Sequence, residues 1–136
     1  MNSPDLTALA HSQMPFSDML DVAIVSGSAE RVEATGVWKP EHCTAGGMIH
    51  GGYLMAVADS VGALCVFLNL PQGAATSTIE SKTNFFRPVT SGMIEFTATP
   101  VHAGRTIIVT QTDASDGDGK LVSRTTQSQA VIAPRE

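Results

Sequence analysis

The stretch HGGYLMAVADSVGALCVFLNL, residues 50–70, determines how the rest of the chain must fold. From Tyr53 to Leu68 it is apolar on every side, with Gly62 as its one glycine and Asp59 as its one charged residue. Because Pro71 ends the run, the pattern predicts a single helix. A helix that is apolar all round has no face for water, so other structure must enclose it.

Asp59 is the residue of this helix that requires an explanation. An ionised carboxylate inside such an enclosure costs several kcal/mol unless it is paired, hydrogen-bonded or reached by water. A purely structural buried aspartate is one interpretation. A single acid on so apolar a helix is also typical of a functional site, which makes Asp59 the first candidate.

The start of the helix has the composition of an anion-binding site. Gly46 and Gly47 precede the run, and His50, Gly51 and Gly52 lead into it. A helix start leaves free backbone N–H groups and a partial positive charge, and glycines allow a ligand to come close. These are the requirements of an oxyanion hole. In the alternative interpretation, the glycines serve tight packing and His50 caps the helix.

The remaining sequence is mostly extended. A short helix is expected over residues 3–10, and two β-like runs precede the central helix. Four more follow it, separated by turn signals rich in Gly, Pro and Asp. The six runs are residues 22–28, 31–38, 75–87, 93–102, 105–114 and 120–132. Short connections predict antiparallel neighbours. The chain is therefore expected to form an α+β fold, with an antiparallel sheet wrapped around one long helix.

Size and charge limit the classes of function. The 136 residues predict a single domain spanning 1–136, and a net charge of −5 argues against nucleic acid as a partner. A nucleotide-bearing ligand needs only a few local cations. Cys43 and Cys65 form no C-x-x-C motif and are expected to be reduced thiols in a cytoplasmic protein. The apolar run is short for a membrane span and carries Asp59, so no membrane partner is expected.

Several motifs of other chemistries are lacking or incomplete. Asp113, Asp116 and Asp118 lack the spacing and the closing Glu of a calcium loop, so they predict a hairpin turn. His11 and His102 belong to no cluster with metal-ligand spacing, and no metal or resident cofactor is expected. No serine lies in a G-x-S-x-G elbow, which gives a serine hydrolase no support.

Three segments carry a family resemblance. PEHCTAGGMIHGGYLMAVADSVGA (residues 40–63), NFFRP (84–88) and HAGRT (102–106) together resemble the hotdog-fold acyl-CoA thioesterases of the phenylacetate-degradation type. The shared pattern is H-G-G, five residues and A-D, and the likeness covers about residues 36–132. It implies an acyl-CoA substrate and hydrolysis of its thioester bond to free acid and coenzyme A.

The resemblance assigns roles at the helix. Gly51 would supply an oxyanion N–H, and His50 would lie beside the thioester. Asp59 would act as general base or as nucleophile, and the sequence leaves both roles open. Thr44 occupies the position of the family's Asn or Gln and offers one donor where an amide offers two. Ala63 lacks the hydroxyl that some members carry one turn after the acid.

Other candidate residues lie beyond the helix. Some members carry a Ser or Thr on the following strand, which points to Thr78 with Ser77 beside it; ordinary strand hydroxyls are the alternative. The resemblance also implies that coenzyme A contacts Arg105 with Gly104, and Arg87, although plain solvation is the more common role of any single surface arginine. The acyl pocket is expected near Asp59, lined by apolar residues such as Tyr53, Leu54 and Phe85.

The spacing within the helix predicts an assembly. Asp59 follows Gly51 by eight residues, which is roughly 12 Å along a helix. Catalytic partners must approach within about 3 Å of the reacting atoms. Two antiparallel helices related by a two-fold axis could combine the Gly51 of one subunit with the Asp59 of the other. The resemblance likewise implies a homodimer, often paired again into a homotetramer.

Two other functions remain open at this point. One is a non-catalytic acyl-CoA-binding module on the same fold, which the Thr44 replacement would permit. The other is an acyl-CoA hydratase, in which His50 and Asp59 would face the carbons next to the carbonyl.

Overall fold

The computed structural model describes residues 3–135 of the chain. They form a six-stranded sheet and a long central helix, preceded by two shorter helices. The elements are α1 (Ser3–Gln13), α2 (Pro15–Met19), β1 (Ala23–Gly27), β2 (Val32–Val37), α3 (Gly51–Phe67), β3 (Ala75–Phe85), β4 (Met93–Ala103), β5 (Ile107–Ser115) and β6 (Leu121–Ile132), with short 3-10 turns at Pro40–His42 and Ala45–Gly47 between β2 and α3.

The central helix α3 is confirmed, and the sheet encloses it as its composition requires. It packs against five of the six strands, β2 to β6. Val57 and Val61 are fully buried, and Ile94 and Phe96 of β4 belong to the same hydrophobic core. Burial of such side chains is worth about 1.5–3 kcal/mol each, which makes α3 the element around which the core is built.

The sheet is antiparallel throughout, in the order β1-β2-β4-β5-β6-β3. The sequence predicts that a short connection joins two strands that are neighbours in the sheet. This prediction is correct for the β4–β5 and β5–β6 connections, but it is wrong for the β3–β4 connection, because β3 and β4 are not paired. Residues 86–92 instead carry the chain past the ends of β6 and β5, so β3 is an edge strand paired with β6. The crossing segment is fixed near the start of α3, because the Ile49 N–H donates to the Val89 carbonyl at 2.9 Å.

The N-terminal segment is longer and more firmly packed than the sequence indicates. Helix α1 continues to Gln13, and Leu6 and Ala10 are buried against the rest of the domain. The Thr7 hydroxyl accepts from the backbone N–H of Ile24 at 2.9 Å, which attaches α1 to β1. Helix α1 therefore forms a wall of the domain.

One half of the sheet presents polar side chains to the interior. Six Thr, Ser and Gln side chains of β5 and β6 are almost completely buried: Thr110, Thr112, Ser123, Thr125, Gln127 and Gln129. Buried polar groups are normally hydrogen-bonded, so this surface can solvate a charged group on α3.

Gly36 of β2 provides a test of the packing around α3. A Cβ at this position would overlap the Tyr53 hydroxyl and lie 3.3 Å from Phe96 Cε2. We expect Gly36→Ala to lower the free energy of unfolding by about 1–3 kcal/mol, the usual cost of overpacking a core. Gly117→Ala is the matched control, because a Cβ there meets nothing within 4 Å. Urea denaturation of both variants measures the difference, and equal stability would contradict the packing described here.

Candidate active site

The start of α3 presents an unused hydrogen-bond donor. The Nδ1 atom of His50 accepts from the Gly52 N–H at 2.7 Å, which caps the helix. In the neutral ring the proton therefore lies on Nε2, so the exposed imidazole can donate outwards. The Gly51 N–H makes no hydrogen bond within residues 3–135. A Cβ on Gly51 would lie 3.2 Å from the ring of Phe85, so the glycine allows that ring to approach the helix start.

Asp59 lies half-buried two turns along α3, with its oxygens in different environments. Its Oδ1 accepts a hydrogen bond from the Thr78 hydroxyl at 3.1 Å and a second from the Nε2 of Gln127. Its Oδ2 has no hydrogen bond to any residue that the structure describes. The structure therefore brings Thr78 to the acid, whereas Ser77 does not bond to it.

Asp59 and Thr78 line a groove of about 380 Å³ between α1, the second half of α3 and the start of β3. Most of its walls are apolar, and they include Leu9, Met14, Leu64, Phe67 and Leu70. Ser77 lines it as well. A carboxylate beside a mainly apolar groove is a typical arrangement for a site that binds an apolar substrate and reacts with its polar end.

The groove is not lined by the residues that the sequence favoured. Tyr53 and Leu54 lie in the hydrophobic core, because the first turn of α3 packs against β2 and α2. The Tyr53 ring stacks on His42 with 4.3 Å between the ring centroids. Phe85 lies at the helix start instead of in the groove. Helix α1 supplies the missing wall, which sequence patterns could not show.

The loop before α3 is fixed by backbone contacts. The His50 N–H donates to the His42 carbonyl at 2.9 Å, and the Thr44 N–H donates to the Met48 carbonyl at 2.8 Å. The Thr44 hydroxyl has no hydrogen bond within the described part of the chain. The structure therefore places Thr44 on the loop, opposite Met48 and not against His50.

The arginines do not meet within one chain. Arg105 follows Gly104 in the β4–β5 hairpin and lines a second, shallow pocket with Pro71 and Pro134. Gly104 is required there because a Cβ would lie 2.8 Å from the Ile107 carbonyl oxygen. Arg87 lies at the other end of β6, where its Nε donates to the Leu121 carbonyl at 3.2 Å. The two ends of β6, which has 12 residues, are roughly 36 Å apart at about 3.3 Å per residue.

Gln127 is the site residue that the sequence did not indicate. Residues on both faces of β6 are polar, so alternation along the strand does not show which face is buried. Gln127 is nevertheless only 1% exposed and lies directly behind Asp59. Its contribution becomes visible only when β6 is placed under α3.

The structure gives little support to a cysteine nucleophile at Cys65 or to a bound metal ion. Burial raises the pKa of the Cys65 thiol to about 11, so the thiolate is scarce at neutral pH. Within residues 3–135 no three His, Cys, Asp or Glu side chains are grouped closely enough to hold a metal ion. None of the described helices is long and apolar enough to cross a membrane.

Comparisons with known proteins show which chains this protein is similar to in sequence and fold. A Haemophilus influenzae protein provisionally named an esterase is 39% identical over 84 residues, which are 60% of this chain and 61% of the relative. The crystal structure of a thioesterase from Haemophilus influenzae is 29% identical, with a TM-score of 0.92 over 100% of this chain and 94% of that one. A phenylacetic acid degradation-related protein from Ralstonia eutropha is 26% identical, with a TM-score of 0.83 over 93% of this chain and 98% of that one.

The sequence profile of the thioesterase superfamily matches residues 46–123, which is more than half of the chain. This segment contains the capped start of α3, Asp59 and Thr78. The protein therefore belongs to the thioesterase superfamily and has its hotdog fold.

Proposed function

We propose that the protein is an acyl-CoA thioesterase, which hydrolyses an acyl- or aryl-CoA thioester to the free acid and coenzyme A. The observation that carries this proposal is the Asp59 carboxylate beside a mainly apolar groove, with Oδ1 held by two donors and Oδ2 unbonded. A structural neighbour from Streptococcus pneumoniae, 22% identical with a TM-score of 0.82, was solved with coenzyme A. That likeness is one of fold, and it supports coenzyme A as the carrier group.

The carbonyl oxygen of the thioester would bind at the start of α3. The Gly51 N–H is free to donate, and the partial positive charge of the helix end favours an oxyanion there. The Nε2–H of His50 is a second donor beside it. Hydrogen bonds of this kind strengthen as the carbonyl becomes a tetrahedral oxyanion, so they lower the barrier more than they tighten substrate binding.

Asp59 would supply the second half of the chemistry. As general base it takes a proton from water, whose oxygen adds to the carbonyl carbon while the C=O pair moves onto the oxygen at Gly51. Collapse of this intermediate breaks the C–S bond, and the coenzyme A thiolate leaves and is protonated. As nucleophile, the Asp59 carboxylate would instead add to the carbonyl carbon, and breakage of the C–S bond would expel the coenzyme A thiolate and leave a mixed anhydride, which water then hydrolyses to the free acid and Asp59. The proposal includes both routes.

The edge strand β3 supports a site shared between two subunits. Its outer edge has unpaired backbone groups over eleven residues, and Ile79 and Phe85 beside it are 59% and 50% exposed. A long exposed edge strand is a ready template for pairing with another chain, and these two apolar side chains would be covered by such a pairing. Two β3 strands paired antiparallel about a two-fold axis near residues 80–81 would set Phe85 opposite residues 75–77 of the partner.

This pairing would unite the separated halves of the site. Gly51 lies against Phe85, and Asp59 is bonded to Thr78, so the Gly51 of one subunit would come close to the Asp59 of the other. The same pairing would bring Arg87 of one subunit to the sheet end that carries Arg105 of the other. We therefore propose a homodimer in which Arg87 of one subunit and Arg105 of the other face one coenzyme A. Two such dimers would pair again to form a homotetramer. The acyl group would occupy the groove beside Asp59.

The first test replaces the acid. Asp59→Asn keeps the shape and can still accept from Thr78 and Gln127, but it removes the base. We expect kcat to fall by roughly 10²–10⁴-fold, the usual effect of losing a general base or nucleophile. Thiol release from short, medium and aryl acyl-CoAs measures it. Asp118→Asn, an exposed acid in the β5–β6 turn, is the matched control.

Near-normal kcat in folded Asp59→Asn on the best substrate would remove Asp59 from the mechanism. Turnover of an enoyl-CoA by wild type without thiol release would indicate a hydratase instead. Binding of acyl-CoA without turnover of any substrate would indicate a binding module.

The second test concerns the shared site. Gly51→Pro removes the backbone N–H at a helix position that tolerates proline. A mixed dimer of Asp59→Asn and Gly51→Pro subunits contains one doubly altered site and one site with both native residues. After co-refolding equal amounts of the two inactive parents, we expect about a quarter of wild-type activity per subunit, because half of the dimers are mixed and each has one intact site.

Two controls accompany this experiment. Circular dichroism establishes that each parent is folded, and differently tagged subunits establish that they mix. If folded subunits mix and activity does not return, each site belongs to a single chain and the shared-site proposal is wrong.

A further inference from the structure

The carboxylate of Asp59 rests on a buried amide. Gln127 is 1% exposed, and both ends of its carboxamide are engaged. Its Nε2 donates to Oδ1 of Asp59, and its Oε1 accepts from the Thr110 hydroxyl at 3.4 Å. Thr110 is itself fully buried on the neighbouring strand. The interaction therefore runs from the half-buried Asp59 on α3 through Gln127 on β6 to a fully buried hydroxyl on β5.

Gly62 in α3 makes room for this amide. A Cβ at residue 62 would overlap the Oε1 of Gln127 and lie 3.1 Å from the Thr110 hydroxyl. Glycine weakens a helix interior relative to alanine, and Gly62 is the one glycine between Tyr53 and Leu68 of this helix. The space that the amide requires explains why the helix carries a glycine at this point.

The arrangement controls the orientation of the carboxylate. A carboxyl group on a helix can rotate about its last torsion, which is broad for aspartate. Thr78 from β3 and Gln127 from β6 both donate to the same oxygen, so rotation would break two hydrogen bonds at once. Hydrogen bonds to a charged acceptor are stronger than neutral ones. Oδ2 is thereby left as the oxygen available for reaction.

We propose that Gln127 is a positioning residue, which orients Asp59 through its amide donor, and that Gly62 is needed to admit it. This inference rests on the proposed role of Asp59 as base or nucleophile. It assigns a function to two residues that touch neither the groove surface nor the helix start. Their substitution should therefore affect the chemical step and leave substrate binding nearly intact.

The first variant removes the donor and keeps the length of the side chain. We expect Gln127→Met to lower kcat by about 10–100-fold, the effect of a small misplacement of a reacting group. KM for the same acyl-CoA should change by less than about twofold, because the binding surfaces are not altered. Thr112→Val is the matched control, since Thr112 is equally buried, its hydroxyl has no partner among the described residues, and it does not touch Asp59. Unchanged kcat in folded Gln127→Met would overturn the proposal.

A second set of variants distinguishes positioning from general damage to the fold. Gly62→Ala should displace the amide and lower kcat by a factor similar to that of Gln127→Ala. In the Gln127→Ala background the added methyl group has space, so Gly62→Ala should cause no further loss of kcat. If the kcat of the double variant falls by the product of the two single-variant factors, Gly62 and Gln127 act independently and the proposal is overturned. A loss of kcat that follows the fall in melting temperature would overturn it as well, because it would reflect general damage to the fold.

A spectroscopic measurement separates this inference from the proposed function. The side-chain amide signals of Gln127, identified by their loss in Gln127→Met, should shift in Asp59→Ala if the two side chains are in contact. If the signals shift in Asp59→Ala but the wild-type protein releases no thiol from any acyl-CoA, the contact is supported and the thioesterase proposal alone is contradicted. Asp59-dependent thiol release without any shift would contradict the positioning role alone.

Discussion

The structure depends on accommodating one carboxylate beside an otherwise apolar helix. A carboxylate at such a position needs hydrogen bonds or water around it, because desolvation of a lone carboxylate costs several kcal/mol. The sheet meets this requirement with a polar inner surface on β5 and β6 and with Thr78 on β3. Gln127 of that surface bonds to Asp59, whereas the other half of the interior, around Phe96, is hydrophobic. One half of the core therefore contributes mainly to stability, and the other half surrounds the candidate site.

A second constraint comes from the length of α3. The two features that the proposed mechanism uses, the free N–H at Gly51 and the acid at Asp59, are too far apart to act together within one helix. The edge strand β3 is in contact with both, since Phe85 lies against Gly51 and Thr78 is bonded to Asp59. Antiparallel pairing of this strand with a second copy would cover the exposed edge and join the two features. Stability and catalysis would then depend on the same interface.

Much of the fold and of the candidate site could be predicted from local sequence patterns. The uniform apolarity of residues 53–68 indicated α3, and the single acid within it indicated the site. The partner hydroxyl of Thr78 followed from the family resemblance. Three features could not be predicted, because they depend on long-range pairing. The position of β3 at the edge next to β6 depends on a crossing loop, the burial of Gln127 depends on which face of β6 turns inward, and the groove wall depends on the docking of α1.

The most direct test of the account is a crystal structure with an unreactive acyl-CoA ketone, in which a methylene group replaces the thioester sulfur. The ketone oxygen is expected at about 3 Å from the Gly51 nitrogen of one subunit. The carbonyl carbon should face Oδ2 of Asp59 from the other subunit, directly or through one water molecule. The phosphates should lie near Arg105, and the acyl group should fill the groove between α1 and α3. A ketone bound to Gly51 and Asp59 of a single chain, or bound away from both residues, would contradict the account.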